Sequence, residues 1–233
     1  MKLIILITII IILLLILYNK NPCIDFFAIS LKNTIRIKQI NEQQYKYNFN
    51  LTVFDAINGN TLNQDDLYNK KILSLNFKDN NSPKRYREIG CYMSHLQLLQ
   101  NIKNNCNSKY SVVFEDDFII SNNNFFNIIY DSLHYLCYNN IDFDIIFLGN
   151  LVNNHAEVIH NNLYNFDYNS ELIGMYSYLI NNKNIDKILK LIEFIDNPID
   201  VKINNLIKNY NLKVFMIFPT ITTVNFNLES TIL

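Results

Sequence analysis

The chain has 233 residues, 49% of them hydrophobic and 18% charged, with a formal net charge of −1. That length and apolar content suffice for one sizeable core rather than two, so a single compact domain is expected. The near-neutral charge, with no basic cluster along the chain, excludes nucleic acid as a primary partner, since phosphate binding needs a surplus of Lys and Arg on one face.

Residues 3–18, "LIILITIIIILLLILY", carry no charge and are bracketed by Lys2 and Lys20. At 1.5 Å per residue such a helix spans about 24 Å, suited to a thin endoplasmic-reticulum-type bilayer. A secretory signal core is the alternative. The small-residue cleavage pattern is absent after Leu17 and Tyr18, so residues 1–20 are expected to form an uncleaved signal-anchor. The charge bias across it is slight; the short leading segment favours a type II orientation, with residues 21–233 luminal in an endoplasmic-reticulum- or Golgi-like membrane system.

After Pro22, "IDFFAISL" is apolar and rich in strand-forming residues, and Asn33 to Tyr47 spaces Ile35, Ile37 and Ile40 loosely as one helix face, giving strand then helix. "NLTVFDAING" predicts a second strand closed by a turn at Asn58-Gly59. Residues 60–84 are polar and irregular and read as a mobile loop. "EIGCYMSHLQLLQNIKNN" has helical apolar spacing, with Glu88 as a possible cap at its start, and leads into the strand "YSVVFE". A helix over 124–138, the strand "FDIIFLG", the strand "MYSYLI", the amphipathic helix "KNIDKILKLIEFI", a helix over 200–210 and the strand "LKVFMIF" complete the chain. Strands alternating with helices predict an α/β domain with a mostly parallel sheet covered on both faces.

The four cysteines, Cys23, Cys91, Cys106 and Cys137, show no CxxC spacing and no zinc-finger pattern with His, so no metal cluster is expected from them. They read as small buried apolar residues, or as one disulfide pair in an oxidising lumen. Two glycosylation sequons are no more than an Asn-rich chain produces by chance.

The stretch "SVVFEDDFII" ends an apolar strand on Glu115, Asp116 and Asp117. In α/β sheets ligands collect where strands end and loops diverge. Three adjacent carboxylates repel unless a cation joins them, and an oxygen-only set suits Mg²⁺ or Mn²⁺. The same triplet also reads as a solvated turn, or with Asp117 capping the next helix.

Taken together the residues resemble the family-25 glycosyltransferases, which include lipopolysaccharide galactosyltransferases and procollagen galactosyltransferases. The resemblance runs from about Phe27 to Leu233 through "AISLKNTIR", "FDAING", "REIGCYMSHLQLLQNI", "VVFEDDFII", "FDIIFLG", "GMYSYLINNKNIDKIL" and "NPIDVKINNLI". Its most specific part is Gly90-Cys91-x-x-Ser94-His95 followed some twenty residues later by the acidic triplet. The resemblance implies a single GT-A-like domain that uses a UDP-sugar donor, with UDP-galactose the leading candidate. It implies Glu115 and Asp117 as ligands of Mn²⁺ or Mg²⁺, and Asp116 near the donor ribose or sugar. It further implies Ser94 and His95 at the donor site, at a helix start or in its first turn. Arg36, after the first strand, is placed to pair with phosphate, or is a solvated helix residue. Inversion at the sugar needs a base for the acceptor hydroxyl. The match selects Asp200 for it, in a position where an amino-terminal cap is the plainer reading. The expected acceptor is a glycan, lipopolysaccharide or hydroxylysine-type group. The other classes compatible with the acidic triplet are a metal-dependent nucleotide-sugar phosphohydrolase and an inactive transferase-like binding subunit.

Overall fold

The computed structural model describes residues 21–78, 82–151 and 155–228. The expected anchor, residues 1–20, lies outside the described residues; among those described, no helix is long and apolar enough to cross a membrane. The strands are β1 (Ile24–Ser30), β2 (Thr52–Asp55), β3 (Tyr110–Glu115), β4 (Phe118–Ile120), β5 (Ile145–Phe147), β6 (His155–His160), β7 (Leu163–Phe166), β8 (Ser177–Asn181), β9 (Val214–Ile217) and β10 (Thr222–Val224). The helices are α1 (Thr34–Tyr47), α2 (Gln64–Asn69), α3 (Leu75–Lys78), α4 (Pro83–Asn105), α5 (Phe125–Tyr138), α6 (Ile185–Ile192) and α7 (Ile199–Lys208).

Eight strands form one sheet in the order β2-β1-β3-β8-β5-β9-β7-β6. β1 pairs in parallel with β2 and β3, and β5 with β9, whereas β8 is antiparallel to both β3 and β5 and β7 is antiparallel to β9 and β6. Only β8 and β7 therefore run against the others, and the expected mostly parallel direction is found in a mixed sheet. Each central strand alternates its side chains between two cores, as the two-residue period of a strand requires. Val113 of β3, Tyr178 and Ile180 of β8 and Val214 of β9 face α4, α6 and α7. Val112 and Phe114, Leu179 and Phe215 face the opposite core with α5 and Ile40 of α1. Buried on both sides, these strands read in the sequence as unbroken apolar runs.

The expected loop over 60–84 is instead mostly built structure: α2 and α3 occupy it and α4 begins inside it. Asn63 caps α2 by accepting from Asp66 N at 3.1 Å, and Leu67, Leu73 and Phe77 insert into the core. Leu73 bridges to Ile195. Three widely spaced apolar anchors in a polar stretch are enough to hold it down. The long helix also starts earlier than expected, at Pro83, with Ser82 accepting from Arg85 N at 3.2 Å. Glu88 is thus not its cap; it pairs with Arg85 at 2.8 Å. Four short strands, β4, β6, β7 and β10, lie outside the predicted set. β10 pairs with β4 as a separate two-stranded ribbon beside the main sheet.

A candidate active-site cleft at the carboxyl ends of the first strands

β1 has β2 on one side and β3 on the other, so the connections leaving β1 and β3 diverge and open a crevice at their carboxyl ends. β3 carries three fully buried side chains, Val112, Val113 and Phe114, up to Glu115. The chain then turns at Asp116 and Asp117 and enters β4. The acidic triplet is therefore a strand end and a two-residue turn. Asp117 does not cap the next helix, which begins eight residues later at Phe125.

The turn is held by Arg36. Asn33 caps α1 by accepting from Arg36 N at 2.9 Å, which sets the first turn of the helix. The buried guanidinium then sits 3.1 Å from Asp116 Oδ1 and 3.0 Å from Asp117 Oδ2. Arg36 is not a solvated helix residue. In this arrangement its charge is directed at the two aspartates, and Arg36 is not among the residues lining the cleft. Burial pushes the Asp116 carboxyl above its ordinary pKa, against a hydrogen bond with Ser30 and the Arg36 charge, which pull it down. Asp117 is raised by burial first and by the charge of Glu115 next, again opposed by Arg36. Three carboxylates and one guanidinium leave a formal charge of −2 here.

Opposite the turn stands α4. Gly90 lets it approach the loop after β2: a Cβ at Gly90 would lie 2.6 Å from Gly59 N and 2.7 Å from Ile57 O. Ser94 fastens that contact, donating to Gly90 O at 2.7 Å and accepting from Ile57 N at 2.8 Å. One residue on, the ring of His95 is buried, with Nδ1 2.7 Å from the Tyr178 hydroxyl and Nε2 3.5 Å from Glu115 Oε1. Ser94 and His95 are expected at the helix start or in its first turn, but both lie midway along α4, because the helix begins at Pro83.

Between these walls lies a cleft of about 260 Å³ lined by Ser30, Asn58, Asn60, Arg87, Cys91, Ser94, His95, Glu115 and Asp116, among others. The structure thus brings Glu115, Asp116, Ser94 and His95 to one cavity. Asp117 and Arg36 adjoin it through the turn without being among its lining residues. Asp200 lies in the first turn of α7, but the cap position is Pro198, so Asp200 is not a simple amino-terminal cap. Its carboxylate accepts from Val201 N at 2.9 Å and Gly174 N at 3.3 Å, tying the strand-leading segment before β8 to α7. It is outside the cleft lining, yet its charge is among those that raise the Cys91 thiol.

Three cleft features escape a reading of single motifs. Cys91 reads as an inert apolar residue, although its spacing of four from His95 on a helix was a signal that both face the same way. Arg87 lies one turn before Cys91 and stands out in the sequence only as part of the "REIGCYMSHLQLLQNI" segment. Tyr178 comes from a strand far along the chain and carries no local signal at all. All four cysteines are free, so the disulfide alternative is not realised.

A cation at the acidic turn can be tested against this geometry. Asp117 Oδ1 is buried without a hydrogen-bond partner among the described residues, and a buried carboxylate oxygen left unmatched beside two further carboxylates is a fit for a hard divalent ion.

A doubly wound α/β domain with a polar, anionic cleft at its switch point defines a class of enzymes that bind nucleotide-like ligands at strand ends. The chain belongs to glycosyltransferase family 25: it matches the family described as "Glycosyltransferase family 25 (LPS biosynthesis protein)" over residues 23–203. Among solved structures it is similar to a glycosyltransferase involved in the glycosylation of the major capsid of PBCV-1, at 11% identity and a TM-score of 0.38 over 74% of this chain and 65% of that one. The chain thus spans less than two thirds of that protein. It is also similar to the apo form of a UDP-glucose pyrophosphorylase, at 10% identity and a TM-score of 0.43 over 84% of this chain and 90% of that one. A third likeness is to A197 from STIV, at 12% identity and a TM-score of 0.35 over 83% and 81% of the two chains. No curated protein matches the chain.

Proposed function

We propose that this protein transfers a hexose, with galactose from UDP-galactose as the leading donor, to a glycan, lipopolysaccharide or hydroxylysine-type acceptor with inversion. The observation that carries this reading is the acidic turn: an anionic cluster of net −2 at the rim of a cleft on a family-25 domain, with a buried carboxylate oxygen unmatched. Glu115 and Asp117 are the residues to hold Mn²⁺ or Mg²⁺. When bound, such an ion stabilises the negative charge that develops on the departing nucleoside diphosphate.

The chain's own groups supply the rest. Asp116, on the cleft wall, is positioned to accept from the donor's ribose or sugar hydroxyls, and Arg36 keeps its orientation. Ser94 and His95 shape the donor side of the cavity: the serine fixes the loop carrying Asn58 and Asn60, and the imidazole walls the space beside Glu115. Asp200 is the proposed base that takes the acceptor hydroxyl proton, which requires the acceptor to enter from the α7 side. Residues 1–20 are proposed to anchor the domain in a membrane with the cleft luminal, on the hydropathy of residues 3–18 alone.

The test is thermal stabilisation of the full-length chain in detergent across a panel of nucleotide sugars, with and without Mn²⁺, followed by product analysis with an acceptor panel. One UDP-sugar that raises the melting temperature only with Mn²⁺, and whose sugar appears on an acceptor, is the expected result. UMP and sugar 1-phosphate, formed at the same rate with or without acceptor, would assign a phosphohydrolase instead. No shift with any donor would assign an inactive binding subunit.

A further inference from the structure

On the wall of the same cleft three unlike ligand atoms converge. Cys91 Sγ, a ring nitrogen of His95 and a Glu115 oxygen all lie within 4.8 Å of one another. Cys91 and His95 are one turn apart on α4, so their side chains share a face, and Glu115 meets them from the end of β3. We propose that these residues form a binding site for a zinc-type ion, distinct in chemistry from the oxygen-only set at the acidic turn.

The argument rests first on His95. Its ring is 1% exposed, and among the described residues Nε2 has no hydrogen-bond partner, although the Glu115 carboxylate lies 3.5 Å away. A buried polar nitrogen left unmatched costs the fold stability, and a bound cation removes that cost. The other nitrogen, Nδ1, is held at 2.7 Å by the Tyr178 hydroxyl, itself buried on β8. A ligating imidazole is oriented in this manner, with one nitrogen committed to a fixed partner and the other's lone pair turned to the metal.

Distance supports it next. Two ligand atoms each about 2 Å from a tetrahedral ion stand about 3.3 Å apart. The His95–Glu115 separation of 3.5 Å already meets that value. The sulfur needs to close by at most about 1.5 Å, within reach of a side-chain rotation. A thiolate, an imidazole and a carboxylate together select Zn²⁺ over Mn²⁺ or Mg²⁺, which prefer oxygen sets. Because all three residues line the cleft, the fourth coordination position faces ligand space rather than protein.

This site does not depend on the transfer reading, although it shares Glu115 with it. The two are separated by the following measurement. The untagged full-length chain in detergent is titrated with Co²⁺, whose bond to a thiolate gives a charge-transfer absorption that oxygen ligands do not produce. We expect that band to saturate at one ion per chain and to vanish on adding equimolar Zn²⁺. Cys91→Ser should abolish it, and His95→Gln should weaken Co²⁺ affinity at least about tenfold, the loss expected for one ligand or its support. Asp117→Asn should leave the band in place while removing the Mn²⁺ effect on donor binding. No thiolate band in the wild-type chain at any ratio overturns the site, as does a band that survives Cys91→Ser. Loss of the band in Asp117→Asn overturns its separateness from the acidic turn.

Discussion

The two faces of the sheet differ in what they bury. The α1/α5 face is mainly aromatic and aliphatic: Phe114 stacks on Phe118 at 4.0 Å between centroids and leans on Phe125 at 6.2 Å, and the buried Gln39 and Gln43 of α1 serve the backbone of β4, with Gln39 Nε2 donating to Phe118 O at 2.9 Å and Gln43 Oε1 accepting from Ile120 N at 3.0 Å. The α4/α6/α7 face buries the larger apolar cluster, and its buried polar groups include the titratable side chains that border the cleft. Tyr92 donates to Ile192 O at 2.9 Å, and Tyr178 meets His95. The lesson is a division of roles within one strand. Successive residues of β3 point Phe114 into the inert face and Glu115 toward the polar one, so the rigid side fixes the position from which the reactive side projects.

That contrast can be broken at graded cost. The largest effect is expected from Phe114→Ala, which removes a fully buried ring and should lower stability by about 3–5 kcal/mol, read as a drop in the urea midpoint with little change in slope. A loss below about 1 kcal/mol would mean the inert face is not the rigid one.

Next comes Asp117→Asn, expected to cut Mn²⁺-dependent turnover on the order of a thousandfold, about 4 kcal/mol of barrier, with the fold intact. Its stability should show a sign. Burial and the Glu115 charge raise the native Asp117 pKa above its ordinary 3.8, so the native state holds that proton more tightly than the unfolded chain. Ionisation at neutral pH therefore costs native stability, and the non-titrating Asn variant should melt higher than wild type at pH 7 without metal. As pH falls through the raised pKa that advantage should shrink, and it should be gone below about 3.8, where both states of the wild type are protonated. A melting difference that does not change with pH would place the cost of Asp117 outside its charge.

Gly90→Ala tests the fit of the polar face. Its methyl group would meet backbone atoms of Ile57 and Gly59, which cannot rotate aside, so about 1–3 kcal/mol of stability should be lost. Donor-induced stabilisation should weaken with it, since the displaced loop carries Asn58 and Asn60. Smallest is Ser111→Ala. Ser111 is buried and accepts from Asn182 Nδ2 at 2.9 Å, so a loss of about 1 kcal/mol is expected with turnover unchanged. A turnover loss there would spread the site further down β3 than the geometry supports.

Much of this architecture is legible in the residues themselves. The apolar run ending at Glu115 predicts β3 and the place of the acidic turn because a strand buried on both faces leaves no other pattern. The 60–84 stretch misleads, since Leu67, Leu73 and Phe77 anchor it without any periodicity; the Ser82-Pro83 pair, a helix-start signal, was nevertheless present within it. What the sequence cannot carry is pairing at a distance. Nothing near Arg36 announces that its partners are 80 and 81 residues away, nothing near His95 points to Tyr178, and strands as short as β4 and β10 have no signature until they meet.

The order of strands bears on how this protein can be cut into pieces. The family match ends at residue 203, yet β9 lies beyond it, wedged between β5 and β7. β10 lies beyond it too, and just after β10 Asn225 N donates to the Asp117 carbonyl at 2.8 Å while its side chain reaches Gln39 at 2.7 Å. A fragment trimmed to the family boundary would leave β5 and β7 with bare edges inside a torn sheet, inviting strand-to-strand association between molecules. It would also strip the acidic turn of its outer brace, so an expression fragment of this domain has to run through Asn225 to keep both the sheet and the cleft.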